Sequence, residues 1–73
     1  MANPNEIRIL ERMQHVKHDV SYRLGWMLAC NKEPRPHKDR MAAQGWLDAW
    51  ALCHIRALEA PQALEDVQLC KDI

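Results

Sequence analysis

Glycine is nearly absent from this chain, with two residues in 73. That scarcity leaves no Gly-rich loop to cradle phosphates. Ser21 is the only serine and threonine is missing, so the hydroxyl groups such sites use are scarce as well. Charge of one sign is not in excess either, since Lys plus Arg and Asp plus Glu number 10 each. Affinity for nucleic acid rests largely on basic groups neutralising phosphates, so direct nucleic-acid binding is not expected and a protein partner is favoured. No apolar run approaches the roughly 18 residues that span a bilayer, and MANPNEIRIL lacks the charged region and apolar core of a signal peptide. No membrane association is expected, and the expected location is cytoplasmic. Few residues are β-branched and alternation is absent, which argues against strands. The three cysteines, Cys30, Cys53 and Cys70, are odd in number and widely spaced, which suits small buried thiols better than a disulfide framework.

What is present is helical periodicity. Asn3-Pro4-Asn5-Glu6 reads as a helix start, with Asn3 as N-cap, Pro4 in the first helical position and Glu6 at the capping-box position. Ile9, Met13, Val16, Val20, Leu24 and Met27 then recur at threes and fours, predicting one helix that ends near Asn31, with Asp19 and Arg23 paired on its solvent face. NKEPRPHKD carries two prolines and must be a connector. Asp39 can cap a second helix running to about Ala60. Its predicted inner face holds Ala43, Trp46, Leu47, Trp50, Cys53, His54, Ala57 and Leu58, with Asp48, Arg56 and Glu59 opposite. Pro61 opens a short third helix with Leu64, Val67 and Leu69 as its apolar positions. The expected fold is all-α, one domain over residues 1–73, a helical hairpin plus a short C-terminal helix.

Both glycines precede tryptophan, at Gly25-Trp26 and Gly45-Trp46. Glycine costs a helix interior roughly 0.5–1 kcal/mol relative to alanine, so each position needs a reason. Tyr22, Gly25, Trp26 and Ala29 lie roughly 140–240° around the axis from the Ile9 to Met27 stripe, at 100° per residue. The second half of the first helix is therefore apolar on two sides. Gly25 and Ala29 would admit a close neighbour, and Gly45, outside the second helix's inner face, would admit the connector. Two readings follow: both Gly-Trp pairs are packing devices, or Tyr22 and Trp26 form a partner-binding patch. In the second, Tyr22, Trp26 and Leu64 line an apolar groove, and Glu65 and Asp66 form an acidic rim for Lys or Arg of the partner.

Chemistry beyond binding finds little support. His15 and His18 are three apart and Cys53-His54 adds donors, yet no tight ligand pair is present, so neither metal nor cofactor is expected. Adjacent helical residues point about 100° apart, which disfavours a Cys53-His54 nucleophile. The expectation is a protein that is not an enzyme. The connector and its flank gather Lys32, Arg35, His37, Lys38 and Arg40 against Glu33 and Asp39, either a solvated linker or a weak phosphate-contacting loop.

The order Tyr22-x-x-Gly25, Lys32-Glu33, Pro36, Arg40, Gly45-Trp46 and Ala49 resembles the core motif of the ribosome modulation factor family, over about residues 22 to 50. The family's Cys-Pro-Tyr turn stands here as Arg35-Pro36-His37, and its strong positive charge is missing. That resemblance implies a helical hairpin and a ribosome as partner. In length and in the opening MANPNEIRILERMQ, the whole chain is similar to the small transcription regulator type of a Xanthomonas phage. This second resemblance implies binding to bacterial RNA polymerase, interference with sigma-dependent initiation and an effect on termination. The leading expectation is the polymerase-binding regulator, with the ribosome as the alternative partner.

Overall fold

A computed structural model describes residues 3–64, 66, 67 and 69. The elements of the described residues include α1 (Pro4–Val16), α2 (Val20–Cys30), α3 (Arg40–Ile55) and a 3₁₀ turn, Pro61–Ala63. The class is all-α as read, and α2 and α3 pair as the two arms of the hairpin. No strand occurs among the described residues. No helix there is long and apolar enough to cross a membrane.

Helix α1 begins as its sequence indicates. The Asn3 side chain accepts the Asn5 N–H at 2.8 Å, with Pro4 next in line. Ile9 and Met13 are buried and Val16 is half-buried. Glu6 reaches across to Arg56 rather than closing a capping box.

The predicted continuous first helix is instead two helices. α1 stops at Val16, and Asp19 caps α2 by accepting the Tyr22 N–H at 3.0 Å. Asp competes poorly in a helix interior and well at a cap, and Lys17–Asp19 is where the apolar face changes sides. Before the break the Ile9-Met13 stripe faces inward. After it Tyr22, Gly25, Trp26 and Ala29 face inward, while Val20 is 81% exposed and Leu24 41% exposed. A straight helix could bury only one of these faces against α3.

The two glycines sit where α2 crosses α3. A Cβ on Gly25 would stand 1.7 Å from the Ala42 carbonyl oxygen, and one on Gly45 would stand 2.1 Å from the Tyr22 carbonyl oxygen. Backbone meets backbone at both points, so no side chain fits. Gly45 therefore faces α2, not the connector, and this reverses its expected role.

The inner face of α3 is also rotated from the expected one. Ala42, Gly45, Asp48, Ala49, Leu52 and Cys53 are buried, whereas Leu47 and His54 are exposed and Trp46 and Trp50 lie half-buried at the margin. Counting apolar bulk places the tryptophans at the centre of the face. The close crossing selects the small residues instead, and a buried partner accommodates Asp48.

Both hairpin helices end in the same way. Lys32 and Ala57 adopt left-handed backbone, φ 59° and 56°, with the hydrogen bonds Glu33 N–H to Leu28 O and Leu58 N–H to Cys53 O. These are Schellman caps without glycine. The second cap stops α3 at Ile55, short of the predicted Ala60. Beyond it, where a third α-helix is expected, the described residues form a 3₁₀ turn, Pro61–Ala63, and Leu64, Val67 and Leu69 are buried against the core as their apolar character implies.

The cysteine expectation is corrected in part. Cys30 is disulfide-bonded. Cys53 is a buried free thiol that donates to the Leu58 carbonyl at 3.1 Å, and burial pushes its pKa up. Cys70 lies outside the described residues.

Candidate functional site

The most organised polar feature is a buried carboxylate. Asp48, 2% exposed, accepts from Arg12 Nε at 2.9 Å and from a terminal Arg12 nitrogen at 2.7 Å. It also accepts from the Tyr22 hydroxyl at 2.6 Å and from Gln44 Nε2 at 2.9 Å. One residue from each of α1 and α2 thus closes on α3, and the buried charge is paired in a two-point fork. The hydrogen bond to Asp48 raises the Arg12 pKa, and burial followed by that carboxylate raises the Tyr22 pKa. Every acceptor direction is occupied by this chain, so the cluster ties the fold together. Sequence reading missed it, because Arg12 and Asp48 are far apart in the chain. Only the Gln44-Asp48 spacing of four hinted at it.

The residues expected to form a partner-binding patch fall mostly in the interior. Tyr22 and Trp26 are 0% exposed and Leu64 is 2% exposed. Full burial removes all three from the surface: the α2 face that carries Tyr22 and Trp26 is the one the glycines press onto α3, and Leu64, just after the 3₁₀ turn, packs into the same core cluster. Glu65 lies outside the described residues. Asp66 is exposed and accepts from an Arg56 terminal nitrogen at 2.6 Å, which lowers its pKa. The surplus apolar surface exists, but on the opposite face of α2, where Val20 and Leu24 stand out beside half-buried Met27 and Leu28.

The connector between α2 and α3 carries a cluster of cations. Lys32, Arg35, His37, Lys38 and Arg40 are all exposed. Among the described residues, Lys32, Arg35, Lys38 and Arg40 enter no ion pair. Asp39, by contrast, is committed as a helix cap. It accepts the Met41 and Ala42 N–H groups at 3.0 and 3.2 Å, and the Ser21 hydroxyl and then the Ala42 amide lower its pKa. The Trp46 indole donates to the Glu33 carbonyl at 2.8 Å and fastens the connector to α3. Proline rigidity, the Lys32 cap and this indole bond hold the cations on a formed loop.

An open groove of about 490 Å³ between α1 and α3 is lined by Arg8, Arg12, Gln44, Leu47 and His54 among others. His15, His18 and His54 are exposed and spread over the surface. No group of three or more His, Cys, Asp or Glu side chains placed to hold a metal occurs among the described residues. Comparison with known protein families, curated proteins and solved structures finds no match to this chain.

Proposed function

We propose that this chain is a small, non-enzymatic ribosome-docking protein related in plan to the ribosome modulation factors, with the connector as its contact surface. One observation carries the reading. The motif positions Tyr22, Gly25, Gly45 and Ala49 converge at the α2–α3 crossing, while Lys32 and Arg40 of the same motif stay exposed beside it. A motif spread over about residues 22 to 50 thereby acquires a physical meaning: its small and aromatic members lock the hairpin, and its basic members face outward. Exposed cations held on a rigid loop suit the phosphates of ribosomal RNA, whose neutralisation releases counterions. The even charge total conceals local pairing: Asp48 and Asp66 are bonded to Arg12 and Arg56, whereas Lys32, Arg35, Lys38 and Arg40 enter no ion pair among the described residues.

The test is capture from bacterial lysate on the immobilised protein at moderate salt, with and without nuclease, followed by identification of what is retained. Ribosomal subunits that are lost on nuclease treatment or added salt are the expected result. Retention of polymerase subunits without ribosomal proteins would overturn the reading.

That contrary result would favour the second reading, a phage-type regulator that binds bacterial RNA polymerase, interferes with sigma-dependent initiation and acts in antitermination. Its supporting observation is the outward apolar face of α2 at Val20 and Leu24. An amphipathic polymerase segment lying there would bury both side chains. Leu24→Glu would then abolish polymerase retention, and retention unchanged in that variant would remove the reading.

A further inference from the structure

Three rings follow one another along α3 at spacings of four residues. Trp46 and Trp50 have ring centroids 6.1 Å apart at 49°, and Trp50 and His54 are again 6.1 Å apart at 36°. The row spans about 12 Å of helix axis at 1.5 Å per residue. It climbs out of the core as it goes. Trp46 and Trp50 are half-buried and pack against the core cluster, and His54 is exposed. Trp50 Nε1 is buried with no hydrogen-bond partner, so the indole's polar edge lies inside. Leu47, 41% exposed, stands on the same side of α3.

The row is continuous with the cationic connector. Its first ring is fastened to that connector through the bond from Trp46 to the Glu33 carbonyl. Arg40 opens the same helix, about 9 Å along the axis from Trp46. Exposed cations thus lead into a row of three adjacent rings. That combination of a basic track and successive rings is what unpaired nucleic acid uses, because every base offers a π-face and a strand without a complement leaves its bases free to stack. A duplex offers only its phosphates to such a surface.

We infer that Trp46, Trp50 and His54 form a base-stacking platform for single-stranded RNA, entered from the connector cations. The inference rests on the ribosome-docking reading and narrows it: the contacted RNA is an unpaired segment. Charge complementarity selects the strand's phosphates, and the row of rings selects unpaired bases over paired ones.

The experiment titrates the full chain with a short unpaired oligoribonucleotide, and in parallel with the same sequence annealed to its complement, reading tryptophan emission and affinity. The single strand is expected to quench emission and the duplex is not. Trp26 is fully buried and supplies an unresponsive background. His54→Ala, at an exposed position, should weaken single-strand binding by about tenfold with unchanged helicity. Trp50→Leu should abolish most of the quenching. Equal affinity for strand and duplex, or binding without quenching, would overturn the platform. If ribosome capture persists when the oligonucleotide fails to quench, the stacking inference alone falls. If ribosome capture also fails, the docking reading falls with it.

Discussion

Gly25 and Gly45 are the residues on which the fold is most exacting. Alanine would normally improve a helix interior by up to about 1 kcal/mol. Here Gly25→Ala places a methyl 1.7 Å from the Ala42 carbonyl oxygen, a clash with backbone that no rotamer relieves. We expect each Gly→Ala variant to be destabilised by about 3 kcal/mol or more, seen as a fall in thermal midpoint. A midpoint at or above wild type would refute the close crossing. The sequence showed that these two glycines needed a reason, and Gly25 was assigned a close neighbour correctly. Gly45 was not, because its neighbour is set by how α3 is rotated about its axis, and apolar bulk misled that assignment. Asp48 was placed in solvent for the same reason. A lone acidic residue is read as exposed unless its partner is known, and Arg12 lies a whole helix away.

Tyr22 supplies a second residue-level check, because it is the chain's only tyrosine. Its hydroxyl is buried against Asp48, and the folded protein holds its proton well above the ordinary value of 10.0. The unfolded chain loses that proton above pH 10.0, so this contribution to stability is full below that pH and is lost as pH rises beyond it. Alkaline titration followed by tyrosinate absorbance should show ionisation coinciding with unfolding. Ionisation near 10 with the helices intact would contradict the buried hydroxyl.

At the scale of elements, starts were easier to read than ends. Asn3 and Asp39 each cap a helix as their side-chain oxygens allow, and Pro4 follows the first cap. The Asp19 cap was hidden inside an unbroken apolar stripe that spans the junction. Nothing in the periodicity of Val16, Val20 and Leu24 marks where one face stops being core. Both hairpin helices end at left-handed residues that are not glycine, so the usual stop signal is absent from the sequence. Ala57→Gly should therefore stabilise the protein by about 1 kcal/mol, as the left-handed backbone is relieved of its Cβ. Chemical denaturation of that variant checks it, and a loss of stability would argue against the cap.

At the scale of the molecule, equal numbers of acidic and basic groups conceal an uneven arrangement. Asp48 and Asp66 are paired within the chain, and four cations that enter no ion pair among the described residues, Lys32, Arg35, Lys38 and Arg40, collect at one turn of the hairpin. Composition reports only the sum, so it leaves the connector's cations unremarked, and of the expected partner patch Tyr22, Trp26 and Leu64 are core while Asp66 is exposed. The Cys30 disulfide was likewise invisible to spacing rules.

The most direct measurement is the affinity of the protein for purified ribosomal subunits across a salt series, for wild type and for a Lys38→Ala/Arg40→Ala variant of unchanged helicity. Binding should fall steeply with salt. The variant should bind more weakly, and the slope of its log affinity against log salt should be shallower by about 1.4, the loss of two phosphate contacts. Binding indifferent to salt, or a variant indistinguishable from wild type, would contradict it.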